Sequence, residues 1–96
     1  MPITEESVRL NAEVLPQHMR EGAVGYVLYG WEPGSFLQAV LRNDLIDAAA
    51  NADDVNKYAL HMWAVFVYNA VPAAARGSAD AIRLWHKQGG LLRGQR

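Results

Sequence analysis

Helix-breaking residues divide this chain at nearly regular intervals, and that spacing constrains the fold more than any other feature of the sequence. Proline stands at positions 16, 33 and 72, and glycine stands at positions 30, 34 and 77 and in the pair 89 and 90. Between these breaks the chain is rich in alanine and leucine, with fifteen and ten residues, and it has a single threonine. That composition favours helix over strand. We therefore predict an all-α fold, a compact bundle of four or five short helices joined by short loops.

The breaks and the apolar periodicity together predict the individual helices. Pro16 and Gly30 bracket the first, because proline is favoured at helix starts and glycine just past helix ends. A second is predicted over residues 33–49 and a third over residues 54–71. A fourth over residues 79–88 starts after the N-cap Ser78 and ends at Gly89. The apolar residues expected to face inward from the second and third helices include Leu37, Val40, Leu41, Leu45, Ala48, Val55, Tyr58, Met62, Trp63 and Phe66.

The length of 96 residues is enough for one domain. We expect a single helical domain over residues 16–90 and a flexible tail over residues 91–96. Residues 1–15 are predicted to be an N-terminal extension or a short helix that starts after Thr4.

Several classes of protein are disfavoured by composition. Cysteine is absent, which excludes disulfides, thiolate catalysis and cysteine-ligated metals. The N-terminus has neither the basic nor the apolar region of a secretory signal. The most apolar stretch, residues 59–75, is shorter than the roughly 20 residues that a membrane span needs. We therefore expect a cytoplasmic protein with no membrane association.

Charge is distributed unevenly along the chain although its net value is only −1. Residues 1–54 carry three basic and nine acidic side chains, and residues 55–96 carry six basic and one acidic, so the two parts have net charges of −6 and +5. If folding keeps these two sets apart, each is a candidate binding surface.

Motifs that would support catalysis are missing. Among the three histidines, His18 has a carboxylate, Glu21, at the spacing of a helical metal pair, but a metal site would need a third ligand from elsewhere, and a surface pair is favoured. The glycines do not follow a strand as in a phosphate loop, and the serines lack the context of a nucleophile. We predict a protein that is not an enzyme and has no cofactor or metal site.

Four polar residues are predicted to have structural roles: Asn43, Asp44, Asn56 and Asn69. Asp44 falls at the edge of the apolar stripe of the second helix, where a charge needs a partner. The hypothesis is that the Asn43–Asp44 pair accepts hydrogen bonds from a neighbouring helix start, or from Asn56, Tyr68 or Asn69.

Candidate partner-binding residues come from both charge sets and from one aromatic side chain. They are Arg76, Arg83, Lys87 and Arg93 at the basic end, Asp44 and Asp47 at the acidic end, and Trp31. The basic cluster is suited to nucleic-acid phosphates or to an acidic protein. The chain has more aromatic residues than a small core needs to bury, so we also keep a homodimer, formed through an exposed aromatic patch, as an alternative.

Short sequence elements resemble a group of small uncharacterised proteins of bacteriophages and prophages. The elements are Pro33-Gly34-Ser35-Phe36-Leu37, Ala39-Val40-Leu41, Asn43-Asp44-Leu45, Ala52-Asp53, Asn56, Tyr68-Asn69, Pro72, Gly77-Ser78 and Trp85. The resemblance covers roughly residues 16–90.

The resemblance implies a phage or mobile-element accessory protein in the cytoplasm of a bacterial host. In that setting we expect a protein that binds a host protein complex, with inhibition of a defence system such as CRISPR as one form of this function. The alternative is a small nucleic-acid-binding protein that uses the basic C-terminal helix.

Overall fold

The computed structural model describes residues 3–92, and within that range the fold is all-helical. Six α-helices occur there in the order α1 Glu5–Asn11, α2 Gln17–Tyr29, α3 Ser35–Leu41, α4 Leu45–Asn51, α5 Leu60–Ala70 and α6 Ala79–Gln88. Short 3₁₀ turns over Ala12–Val14, Asn56–Tyr58 and Ala73–Ala75 connect some of them. The all-α prediction is confirmed, whereas the predicted number of four or five helices is too low.

The best-predicted helices are the two with strong end signals. Helix α2 follows Pro16 and ends at Gly30, whose φ of 73° is left-handed. Helix α6 follows Ser78, whose side chain accepts a hydrogen bond from the Ala81 N–H, and ends at the left-handed Gly89. In both cases the local chemistry of the cap decides the boundary.

The predicted helix over residues 33–49 is instead two helices, α3 and α4. Asn43 has a φ of 65°, and the N–H groups of Asn43 and Asp44 donate to the carbonyls of Val40 and Ala39. This is the Schellman arrangement that closes a helix, here with asparagine in the left-handed position. Asp44 then caps α4 through a hydrogen bond from the Asp47 N–H. The apolar periodicity runs across the break and conceals it.

The third predicted helix starts later than expected, at Leu60 and not at residue 54. Asp53 caps the intervening 3₁₀ turn, because its side chain accepts hydrogen bonds from the N–H groups of Val55 and Asn56. The 3₁₀ helix that follows Asp53 is only one turn long.

The N-terminal residues are part of the packed structure. Thr4 and Ser7 form a capping box at the start of α1. The apolar residues Val8, Ala12 and Leu15 are buried, and α1 packs against α2 and α5.

Trp63 lies at the centre of the core, fully buried, with Phe36 and Phe66 against it in edge-to-face contacts at 5.4 and 6.1 Å between ring centroids. The indole N–H of Trp63 donates to the side chain of Asn56 at 2.9 Å. Asn56 is itself buried, so this bond satisfies two polar groups that water cannot reach.

The last two described residues, Leu91 and Leu92, close against α2. The N–H groups of Leu91 and Leu92 donate to the carbonyls of Val27 and Leu28. Gly90 makes this approach feasible, because a Cβ there would lie 2.5 Å from the Leu28 backbone. Leu91 and Leu92 are therefore docked, while residues 93–96 of the predicted tail lie outside the described range.

Candidate functional site

Exposed apolar side chains are concentrated in one stretch of the described chain. Six large ones fall between residues 45 and 68: Leu45, Ile46, Val55, Tyr58, Met62 and Tyr68. Leu45, Ile46 and Tyr68 are 67%, 79% and 78% exposed. Helix α5, which carries Met62 and Tyr68, has no Asp, Glu, Lys or Arg, whereas a charged residue adjoins each of the other four in sequence. Exposed apolar side chains that lie together mark interaction sites more often than scattered single residues do, and Leu45 and Tyr68 line the same groove.

The periodicity placed four of these residues, Leu45, Val55, Tyr58 and Met62, on inward faces, and that prediction is wrong. The break at Asn43 reorients α4, so only Ala48 of that helix is buried. Val55 and Tyr58 belong to the 3₁₀ segment before α5 and not to a continuous helix. Met62 is on α5, but its side chain is on the solvent side of that helix.

A groove of about 350 Å³ runs between α4 and α5, and we call it the α4–α5 groove. Its lining consists of Ala39, Val40, Asn43, Asp44, Leu45, Ala48, Leu60, Trp63, Ala64, Val67, Tyr68 and Arg76. The lining includes buried residues of the core, such as Trp63, as well as the exposed side chains of Leu45 and Tyr68. The groove is therefore apolar over most of its lining.

Asp44 is one of two charged residues in the lining, and it shares its ion-pair partner, Arg42, with Asp47. One carboxylate oxygen accepts the hydrogen bond from the Asp47 N–H, and the other lies 3.6 Å from an Nη atom of Arg42. Arg42 also pairs with Asp47. The predicted acidic pair Asp44 and Asp47 is thus gathered around one arginine at the start of α4.

Arg76 is the second charged residue in the lining, and it lacks a carboxylate partner within residues 3–92. It is half-buried, and its Nε–H donates to the carbonyl of Val71 at 3.3 Å. The next residue, Gly77, donates its N–H to the carbonyl of Leu41 at 2.7 Å, which ties this loop to the end of α3. The loop that carries Arg76 is therefore tied to α3, and no carboxylate of residues 3–92 pairs with the guanidinium.

The structure separates the remaining basic candidates from the groove. Arg83 and Lys87 are exposed on α6, and Arg83 lies 3.6 Å from Asp80. Trp85, beside them in sequence, is buried, and its indole N–H donates to the Tyr26 carbonyl, so it offers no face for stacking. Arg93 lies outside the described residues.

Trp31 belongs to a different cleft, next to α1 and α2. Its side chain is 46% exposed, lies against Gly25 and is 5.9 Å from the Tyr29 ring. Arg9, which donates to the Tyr29 hydroxyl at 3.2 Å, lines the same cleft. The structure thus does not bring Trp31 together with the candidates at the acidic and basic ends.

The polar residues with predicted structural roles have different surroundings from one another. Asn56 bonds to Trp63, Asn43 adopts the left-handed turn that ends α3, and Asp44 caps α4. Asn69 is exposed on α5. Among residues 3–92, Asp44 makes no hydrogen bond to Asn56, Tyr68 or Asn69, so its role is within its own segment and does not bridge two helices.

Acidic and histidine side chains are the ligands that a metal site in this cysteine-free chain would need. Within the described part of the chain no group of three could hold a metal ion. His18 and Asp53 form a pair with 2.8 Å between Nε2 and Oδ2, but no third ligand joins them there. In the same range, no helix has the length and apolarity required to cross a membrane.

Comparison with known proteins gives no family assignment: no family model, no curated protein and no solved structure matches this chain.

Proposed function

We propose that this protein is a non-enzymatic accessory protein that acts by binding another protein through the α4–α5 groove. The observation that carries this proposal is the exposure of Leu45 and Tyr68 at an apolar groove that is continuous with the core. Full burial of a large apolar side chain contributes about 1.5–3 kcal/mol. Two such anchors are sufficient to dominate a small protein interface, where a few residues usually supply most of the binding energy.

The short length of α4 also supports the proposal. This helix has seven residues, of which Ala48 alone is buried, and it packs mainly on α3. Helices so short gain their stability from packing and not from intrinsic propensity. A partner that covers Leu45 and Ile46 would supply the packing that the isolated chain lacks on this side.

We extend the proposal to the phage setting that the sequence resemblance implies. Six residues of the groove belong to the elements that carry that resemblance: Ala39, Val40, Asn43, Asp44, Leu45 and Tyr68. The partner we propose is a host protein complex, and a CRISPR defence complex is one such target. Expression of the protein in a CRISPR-immune host should then raise the plating efficiency of the targeted phage, and Leu45→Lys should remove that effect.

Capture from a host lysate tests the binding function directly. Leu45→Lys places a charge in the groove, and Leu84→Lys is the matched control, because Leu84 is an exposed leucine on α6. We expect quantitative mass spectrometry to find proteins that the unmodified chain and Leu84→Lys retain and that Leu45→Lys loses. Identical sets of retained proteins for all three chains would contradict the proposal.

The nucleic-acid alternative has less support in the described structure. It depends on Arg83 and Lys87 of α6, but Asp80 accompanies Arg83 and Trp85 is buried. Binding of a labelled duplex or single strand that is lost in an Arg83→Glu/Lys87→Glu variant would favour this alternative.

A further inference from the structure

The chemistry of the α4–α5 groove also indicates what kind of segment it binds. Its lining is apolar apart from Asn43, Asp44 and Arg76. Asp44 shares one cation, Arg42, with Asp47, and accepts a hydrogen bond from the Asp47 N–H. Arg76 has no carboxylate partner among residues 3–92. Arg76 is therefore the cation of the lining that is available to an incoming carboxylate.

The position of Arg76 suits it to a carboxylate. The bond from its Nε to the Val71 carbonyl holds the side chain, while its two Nη groups make no hydrogen bond within residues 3–92. Parallel donors on a planar guanidinium bind a carboxylate in a bidentate manner. A half-buried guanidinium also has less water around it, which strengthens a charge-assisted bond.

We infer that the α4–α5 groove binds an acidic–apolar segment of a partner protein, in which large apolar side chains fill the groove and an adjacent carboxylate pairs with Arg76. This inference rests on the proposed function and adds the chemical class of the partner. The groove volume of about 350 Å³ is at the small end of the range of ligand pockets, roughly 300–1,000 Å³. That size suits a few anchoring side chains better than a whole domain surface.

A peptide selection followed by binding measurements tests the inference. The probe is a library of short random peptides displayed on phage and selected on the immobilised protein. We expect enriched peptides to carry Asp or Glu next to two or more Leu, Ile, Phe or Trp residues. Selection on Arg76→Gln should keep the apolar residues and lose the acidic preference, and selection on Leu45→Lys should enrich neither.

Affinity measurements on the enriched peptides then separate the contributions of the two residues. By fluorescence anisotropy, Arg76→Gln should weaken binding about tenfold, as expected for the loss of a charge-assisted bond. Replacing the carboxylate of the peptide by its amide should have a similar effect on the unmodified protein and little effect on Arg76→Gln. Arg83→Gln and Leu84→Lys are the matched controls on α6, and circular dichroism melting curves show that each variant is folded.

The possible failures are distinguishable. If binding depends on Leu45 but shows no acidic preference and no effect of Arg76→Gln, the partner chemistry inferred here is wrong and the proposed binding site stands. If no peptide is sensitive to Leu45→Lys, the proposed function itself fails. A dimer in sedimentation equilibrium that Leu45→Lys dissociates would show that a second copy occupies the groove, and it would overturn the inference.

Discussion

Asn56 and Trp63 show at the scale of single residues how much one buried polar contact contributes. The Oδ1 atom of Asn56 accepts the indole N–H of Trp63 at 2.9 Å, and both residues are buried. Removal of the acceptor leaves the N–H without water or another partner. The cost of such an unsatisfied donor is about 1–3 kcal/mol.

We predict that Asn56→Ala lowers the free energy of unfolding by about 1–3 kcal/mol, measured by urea denaturation. Asn69→Ala is the control, because Asn69 is an exposed asparagine on α5 and its loss should change stability by less than about 0.5 kcal/mol. Equal effects of the two substitutions would show that the Asn56–Trp63 bond is not a determinant of stability.

Gly25 and Gly22 form a second pair of contrasting residues, both in α2. A Cβ at Gly25 would overlap the six-membered ring of Trp31, whereas a Cβ at Gly22 would meet nothing within 4 Å. The glycine at position 25 is therefore required for Trp31 to lie against α2.

Gly25→Ala is expected to displace Trp31 from α2 and make its indole more accessible to water. Acrylamide quenching of tryptophan fluorescence should increase, while Trp63 and Trp85 remain buried and contribute little. Gly22→Ala should leave quenching unchanged and stabilise the helix by up to about 1 kcal/mol. Unchanged quenching in Gly25→Ala would mean that Trp31 has an alternative resting place.

At the scale of elements, the sequence predicts helix ends well where a cap and a break in periodicity coincide. Gly30 and Gly89 are correct for that reason. The break at Asn43 was missed because the apolar spacing continues across it, although asparagine is among the residues that tolerate a positive φ and aspartate is a strong N-cap. The residue types at Asn43 and Asp44 indicate the break, whereas the apolar periodicity conceals it.

The same break explains why the groove was only partly predicted. Asp44 and Arg76 were named as candidates from their charge, and the structure places both in the lining. Leu45 and Tyr68 are not among the partner-binding candidates that the sequence suggests, because their exposure depends on the orientation of α4 against α5. That orientation is a tertiary property, set by packing between residues distant in sequence, and no local pattern in the sequence encodes it.

Asp53 joins two elements, since it caps the 3₁₀ turn before α5 and pairs with His18 at the start of α2. The backbone N–H of Asn56, with help from His18 and the N–H of Val55, holds the pKa of Asp53 below its ordinary value of 3.8. A carboxylate with a lowered pKa in the folded state stabilises the fold above its unfolded pKa, and that contribution disappears as the pH falls through the folded pKa.

Asp53→Asn is therefore expected to be less stable than the unmodified chain at neutral pH, and the difference should shrink as the pH falls below about 3.8. Urea denaturation at a series of pH values measures it. Asp54→Asn is a suitable control, because Asp54 is almost fully exposed and its ion pair is with the nearby Lys57. A difference between Asp53→Asn and the unmodified chain that stays constant with pH would argue against a role for the ionised carboxylate.

At the scale of the whole molecule, the positions of the charged side chains after folding say more about possible binding surfaces than the net charge does. The ion pairs of the described residues are mostly local: Glu5 with Arg9, Asp44 and Asp47 with Arg42, Asp54 with Lys57, and Asp80 with Arg83. His18 and Asp53, which are distant in sequence, both belong to the acidic part of the chain. One of these pairs, Asp54 with Lys57, joins the acidic part of the chain to the basic part, and the other pairs lie within one part. The α4–α5 groove has two charged residues in its lining, Asp44 and Arg76.

Salt dependence is the whole-molecule property that distinguishes a groove binder from a binder that uses the charged ends. A complex that forms through Leu45, Tyr68 and one Arg76–carboxylate pair has a single ion pair to screen. Its affinity should fall less than about tenfold between 50 and 200 mM salt, whereas a nucleic-acid complex with 6–10 phosphate contacts loses about 10³–10⁵ over the same range. Anisotropy titrations of the captured partner or of an enriched peptide across that range measure the slope. If the affinity depends steeply on salt and this dependence becomes shallow in Arg83→Glu/Lys87→Glu, the binding site is on α6. If the dependence is shallow and those two changes do not alter it, the groove remains the binding site.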